Sequence, residues 1–467
     1  MALYTSFFLR FTLLSLLFAQ WITVSGQGIV CSCCTDDDCD GCLEENDPTG
    51  VTADKSPGLG VEFETSAFYL QGDPSCSYSQ TIILKGNTLM NEGGTARKGT
   101  NWVLTVDTTP DAANNLVPEY ILDGENIKIG QNMAGPAAAA VAQDLVNWKP
   151  STSTPPMTVD GMSSCTWTIS KSISPASIKW QYQITAPMPL EAIGDLMAAA
   201  RSSYTTPPVN LLAATKSFAG HLFYVSADFF QSAPNGAPTH PPADVLGFFS
   251  LVLSYAKFAD EPVNSSPKLL TSIMPRTSFI TMFDLIKSGL GDGLNSGPDA
   301  LYEIVKVLAC YTWFVDDDNN AELEIDSNFC SGTLAAPKPN SKMDGLKFNM
   351  AGGSITPPPS FTIKDWMNGI QAGTIDAMAA GDVTYDGQIG KLNQKTEYVL
   401  GTTREVPIFE FRNLGSSTCT NFEDLVTKAE QTIINYHDKY KTAPQKLKRS
   451  EQQHRAPHQA FRFRQTA

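Results

Sequence analysis

Two short segments alternate strictly between apolar and charged side chains: Gly60-Val61-Glu62-Phe63-Glu64 and Ile408-Phe409-Glu410-Phe411-Arg412. A strand has a side-chain period of two. Glu62 and Glu64 therefore share one face, about 7 Å apart, while Val61 and Phe63 share the other. Glu410 and Arg412 stand against Phe409 and Phe411 in the same way. Each segment predicts a strand with one charged face and one packing face. A sheet built from such strands is one-sided, and its charged face can present a cation site.

Between these end strands, short β-branched or aromatic runs bounded by Gly, Pro or polar clusters predict further strands. They are Gln80–Lys85, Asn101–Asp107, Glu119–Leu122, Ile127–Ile129, Ile178–Thr185, His221–Ser226 and Lys347–Asn349. The first strand is expected to continue to Tyr69. Ala-rich or i/i+3/i+4 apolar spacing predicts helices at Ala137–Trp148, Leu190–Ser202, Asp244–Ala259, Phe279–Ser288, Asp299–Trp313, Thr362–Ala372 and Asn421–Tyr440. The two types interleave without regular β-α alternation. The expected class is α+β, a mostly antiparallel sheet with helices packed on one face.

The chain is expected to be exported. Arg10 precedes an apolar stretch, Phe11 to Val24, and Val24-Ser25-Gly26 supplies small residues for cleavage. Residues 1–26 read as a signal peptide. No later run reaches about 18 apolar residues, so the mature chain is read as secreted, extracellular and not membrane-embedded. Residues 27–57 form a cysteine-rich leader (CSCCTDDDCDGC), where an oxidising compartment makes disulfides the expectation. Cys310 and Cys330 close a plausible loop, and Asn264-Ser265-Ser266 is a glycosylation sequon. Residues 58–437 read as one large domain and 438–467 as a basic disordered tail, with a dibasic processing signal at Lys448-Arg449. The net charge of -15 argues against nucleic acid as a partner, because phosphate neutralisation needs clustered Lys and Arg. Nothing in the sequence fixes an oligomeric state.

Several side chains could carry chemistry. Glu62 and Glu64 can hold Mg²⁺ through oxygen ligands, and the bland alternative is a solvated strand face. Glu410 could ligate a cation and Arg412 could grip phosphate or carboxylate; the alternative is a cross-strand salt bridge. Asp107 ends one strand and Glu119 lies on another. His221 sits in an apolar strand, where a structural role is the commoner one. Arg276 could be a second anion-binding arginine. No phosphate-binding Gly-rich loop, hydrolase elbow or zinc-protease motif occurs. Asp316-Asp317-Asp318-Asn319-Asn320 starts like a calcium loop, but Ala321 and Ser327 stand where such a loop needs Gly and Glu.

The order of these motifs resembles the amidoligase family, relatives of glutamine synthetase and of glutamate–cysteine ligases. The matching residues are Gly60–Glu64; Trp102, Asp107 and Glu119; Thr185-Ala186-Pro187-Met188-Pro189-Leu190; Gly220-His221; Arg276; and Phe409-Glu410-Phe411-Arg412. The resemblance covers about 60 to 415. It implies a curved, mostly antiparallel sheet with helices on its convex face. It also implies an ATP- and Mg-dependent carboxylate–amine ligase, with a small-molecule or peptide carboxylate and an amine as substrates. Glu62, Glu64 and Glu410 would be metal ligands, Asp107 and Glu119 cofactor-binding residues, and His221, Arg276 and Arg412 catalytic residues. Two departures stand out. The second His of the family's strand is Phe223 here, and ATP is scarce outside the cell. Both fit an alternative: a secreted, non-catalytic binding or interaction protein on the same scaffold, without cofactor. An extracellular hydrolase using the carboxylates is a third reading.

Overall fold

The computed structural model describes residues 57–73, 86–91, 94–107, 115–146, 157–160, 162–169, 177–201, 210–212, 221–234, 236–259, 271–315, 321–348, 362–374 and 396–442. All belong to the unit Ser56–Ala467. The expected signal peptide, almost all of the leader, strand Gln80–Lys85, the sequon, the acidic loop 316–320 and the tail beyond 442 lie outside the described residues. Among the described residues no helix is long and apolar enough to cross a membrane.

The alternating segments lie in one eight-stranded sheet. Its strands are β1 (Gly60–Glu64), β2 (Lys98–Gly99), β3 (Trp102–Val106), β4 (Pro118–Leu122), β5 (Trp180–Pro187), β6 (Ile273–Pro275), β7 (Ile408–Phe411) and β8 (Ser416–Ser417). They run in the order β6-β7-β5-β1-β4-β3-β2, with β8 beside β5. Every pairing is antiparallel, and the sheet curls into a half-barrel. The class is therefore α+β. Register sorts the side chains. Val61 faces Ile184 and Leu122, Phe63 faces Tyr182 and Tyr120, and Ile184 faces Phe411. These residues form one apolar face and all are buried.

Helices α1 (Ala134–Val146) and α7 (Phe422–Lys439) pack on each other and cover that face. Phe422 stacks on Phe63 with ring centroids 4.0 Å apart and meets the edge of Trp180. Tyr120 donates its hydroxyl to Asp144 of α1. Burying each such aromatic ring contributes about 1.5–3 kcal/mol. His437, near the end of α7, is buried and structural. Its Nδ1 accepts from the Leu400 amide and its Nε2 meets the Pro187 carbonyl at 2.8 Å. That geometry requires the neutral ring, and burial accordingly lowers its pKa.

Among the described residues the other α-helices of eight residues or more are α2 (Leu190–Arg201), α3 (Ala243–Ala256), α4 (Phe279–Ile286), α5 (Ala300–Leu308) and α6 (Ile363–Ala372). Helices α2 and α3 cross at Gly194 and Gly247, where a Cβ on Gly247 would lie 1.8 Å from the Leu190 carbonyl oxygen. Helix α6 starts on a capping box between Thr362 and Asp365 and ends at Gly373 in the left-handed region (φ 67°). Trp366 of α6 packs among Phe279, Phe348 and Tyr255. A second, five-stranded sheet is formed by Leu70–Gly72, Leu89–Met90, Asn115–Leu116, Met157–Val159 and Met162–Ile169.

Several elements differ from expectation, each for a local reason. The first strand ends at Glu64, because the Thr65 hydroxyl donates to the Lys179 carbonyl and accepts from the Ala67 amide, turning the chain. In place of the strands expected at Ile127–Ile129 and Lys347–Asn349, Lys128 and Lys347 make only isolated bridges, and Asn349 lies outside the described residues. The helix expected to reach Trp313 stops at Leu308. Tyr311–Val315 instead pairs with Ala321–Ile325, beside the disulfide Cys310–Cys330. Residues 221–226 are extended but belong to no sheet. The amides of Phe223 and Val225 donate to Ser254 and Ser250 of α3, whose hydroxyls donate to carbonyls four residues earlier. Helix side chains replace the strand ladder there.

A candidate cation centre on the polar sheet face

The face opposite α1 and α7 carries the charge. Glu64 of β1 lies directly across from Glu119 of β4, and Glu62 lies across from Gln183 of β5. One ligand oxygen each from Glu62, Glu64 and Glu119 lies within 4.8 Å of the other two. Pairing β1 with β4 creates this cluster, since neither strand alone brings three carboxylates together. Like charges in register are destabilising in a bare sheet, and burial adds to the cost of charging them here. Glu62 is pushed up to about 7, first by burial and then by the Glu410 charge, with Arg276 opposing. Glu64 is also raised, first by burial and then by Asp107, while a hydrogen bond with Glu119 pulls it back. The Glu119 carboxylate receives the Thr105 hydroxyl at 3.4 Å.

Gln183 completes the cluster. It is only 7% exposed. Its amide nitrogen donates to Glu64 Oε1 at 2.5 Å, and its buried Oε1 has no protein partner among the described residues. A buried acceptor without a donor is costly. A cation among the carboxylates would answer it and would also favour the charged forms of Glu62 and Glu64. Carboxylate and amide oxygens are hard donors, the set that suits Mg²⁺ or Ca²⁺.

Next along the same face stands a cationic pair. Glu410 is 1% exposed. Arg276 Nη1 donates to its Oε2 at 2.8 Å and Arg412 Nη1 donates to its Oε1. Glu410, expected as a metal ligand, is thus held between the two arginines, and Glu119, expected at a cofactor, joins Glu62 and Glu64. Asp107 acts on the cluster through its charge on Glu64. His221 lies in the extended segment docked on α3, where its ring stacks on Phe258 at 4.0 Å. Phe223 is core: it meets Phe229 at 6.0 Å and lies under the Lys257 ammonium.

Two members of this region escape sequence reasoning. Tyr255 of α3 is fully buried, its hydroxyl has no protein partner among the described residues, and it feels both Arg412 and Glu410. No sequence signal distinguishes it from an ordinary core tyrosine. Gln183 could have been found, because the alternation of Gln181-Tyr182-Gln183-Ile184-Thr185 puts its polar residues on one face. Chemically, the arrangement offers a hard-cation site beside two guanidinium groups, the combination that stabilises transferring phosphate or developing carboxylate charge. No family model, curated protein or solved structure matches this chain.

Proposed function

We propose that the protein is an ATP- and Mg-dependent carboxylate–amine ligase. The observation that carries this reading is the placement, on one polar sheet face, of the Glu62–Glu64–Glu119 oxygens beside the Arg276–Glu410–Arg412 cluster. Glu62, Glu64 and Glu119 would hold the cation, with Gln183 Oε1 as a neutral oxygen donor. Bound Mg²⁺ would supply charge neutralisation at the phosphates of ATP. Arg276 and Arg412 would steady the phosphoryl oxygens and the substrate carboxylate. In the reaction the substrate carboxylate oxygen takes the γ-phosphoryl group and ADP leaves. An amine then forms the C–N bond, gives up its proton, and phosphate departs. Burial of Glu410 keeps both guanidinium groups oriented at the face.

The test is ADP release by the full-length chain with MgATP and mixtures of amino-acid carboxylates and amines. Release that needs both partners, and that falls at least 100-fold in Glu64→Gln, supports the reading. Release that ignores the amine, or survives in Glu64→Gln, contradicts it. A second reading, a binding protein without turnover, is favoured by one observation: Arg276 and Arg412 each already spend an Nη1 donor on Glu410. It predicts no ADP formation and, by calorimetry, no Mg-dependent ATP binding.

A further inference from the structure

Sheet register sets a polar row across four strands. The Arg412 amide donates to the Ser272 carbonyl at 2.7 Å, next to the pairing of Ile273 in β6 with Phe411 in β7. Ile184 of β5 also pairs with Phe411, which brings Gln183 level with Arg412, and Gln183 pairs with Glu62 of β1. Ser272, Arg412, Gln183 and Glu62 thus stand in one row on the polar face, about 5 Å apart from strand to strand. Along β6 the period of two puts Ser272 and Arg276 on that same face.

The β6 end of the row has donors in excess. Ser272 is 1% exposed, and its hydroxyl has no protein partner among the described residues. Arg276 Nε is also buried without one. Each guanidinium carries five N–H donors. Glu410 takes one Nη1 donor from each arginine, one on each of its oxygens. Buried donors without an acceptor are costly. The Arg276 and Arg412 side chains are 27% and 21% exposed, so a ligand can reach them from solvent. Two guanidinium groups and one carboxylate leave a single positive charge, which suits a monoanion. The carboxylates of Glu62, Glu64 and Glu119 further along the face oppose anything more highly charged. A carboxylate also fits in shape. It is planar, its two oxygens accept side by side from a guanidinium fork, and lone pairs remain for a hydroxyl.

We propose that Arg276, Arg412 and Ser272 form a monocarboxylate subsite, with the Ser272 hydroxyl as its specificity-determining donor. That the bound carboxylate is the one activated for amide formation rests on the ligase reading; the subsite itself rests on the row. The test is calorimetric titration of the full-length chain with sodium propionate at pH 7.5, in EDTA and without nucleotide, with sodium phosphate as the rival anion. The expected result is saturable propionate binding, tighter than phosphate and about tenfold weaker in Ser272→Ala. The Ser272→Ala melting temperature should not fall, because the hydroxyl removed bonds nothing in the protein. The proposal is overturned if folded wild-type protein gives no saturable propionate binding, if phosphate binds more tightly, or if Ser272→Ala binds propionate as well as wild type. Propionate binding without ADP release in the ligase assay would keep the subsite and end the ligase reading. ADP release without propionate binding would do the reverse.

Discussion

Glu62 shows how one residue can be read both as a strain and as a function. Its folded pKa is about 7 against an ordinary 4.5. Between those values the folded chain keeps a proton that the unfolded chain has released. Stability therefore falls as pH rises from about 4.5 to 7, by roughly 3 kcal/mol. Glu62→Gln carries no charge at either pH, so its stability should fall less than wild type's across that window and exceed wild type above pH 7 when divalent ions are chelated. Urea denaturation at pH 4.5 and 7.5 in EDTA checks this; equal pH slopes for the two proteins would remove the buried, crowded carboxylate from the account. The charged face of β1 was legible at this scale, because strand alternation alone put Glu62 and Glu64 together. The role of Glu119 was not, because its neighbour Glu64 is set by cross-strand register, which a single segment does not encode.

At the scale of elements, the extended segment 221–226 and the α2–α3 crossing carry the clearest consequences. Ser254→Ala leaves the buried Phe223 amide without an acceptor and should cost about 1–3 kcal/mol. Gly247→Ala forces a methyl into the Leu190 carbonyl and should cost about 1–3 kcal/mol or more. Thermal unfolding measures both; an unchanged Gly247→Ala melting temperature would mean the helices do not approach so closely. The same segment explains a difference from the sequence expectation. Its alternation of apolar residues is strand-like, yet two serines on α3 take its amides. Tyr311–Val315 differs in the opposite sense: its spacing continues the helical pattern of α5, while its β-branched and aromatic residues pair as a hairpin. Local pattern specified extension or burial in both places, and tertiary partners chose between ladder, hairpin and helix.

For the molecule as a whole, the α+β class and the one-sided sheet followed from alternation in β1 and β7. The second five-stranded sheet did not, since its strands of two to eight residues carry too little pattern. The hairpin region is anchored from two sides. The Cys310–Cys330 disulfide closes it covalently, and Lys257 of the segment after α3 reaches Asp326 at 2.6 Å. Replacing both cysteines by serine should lower stability by about 3 kcal/mol for a separation of 20 residues. The reading is the shift in denaturation midpoint with and without reductant; no shift would place the hairpin's stability in the Lys257 pair instead.

The cation centre proposed for Glu62, Glu64 and Glu119 rests on three carboxylate oxygens within 4.8 Å of one another. Calorimetric titration of Mg²⁺ into the full-length chain at pH 7, in two buffers of different ionisation enthalpy, tests it most directly. The expected result is saturable binding, release of part of a proton per ion because burial and the Glu410 charge push Glu62 up to about 7, and loss of both signals in the double variant Glu62→Gln/Glu64→Gln. Absence of saturable binding in the folded protein, or binding unchanged in the double variant, would contradict it.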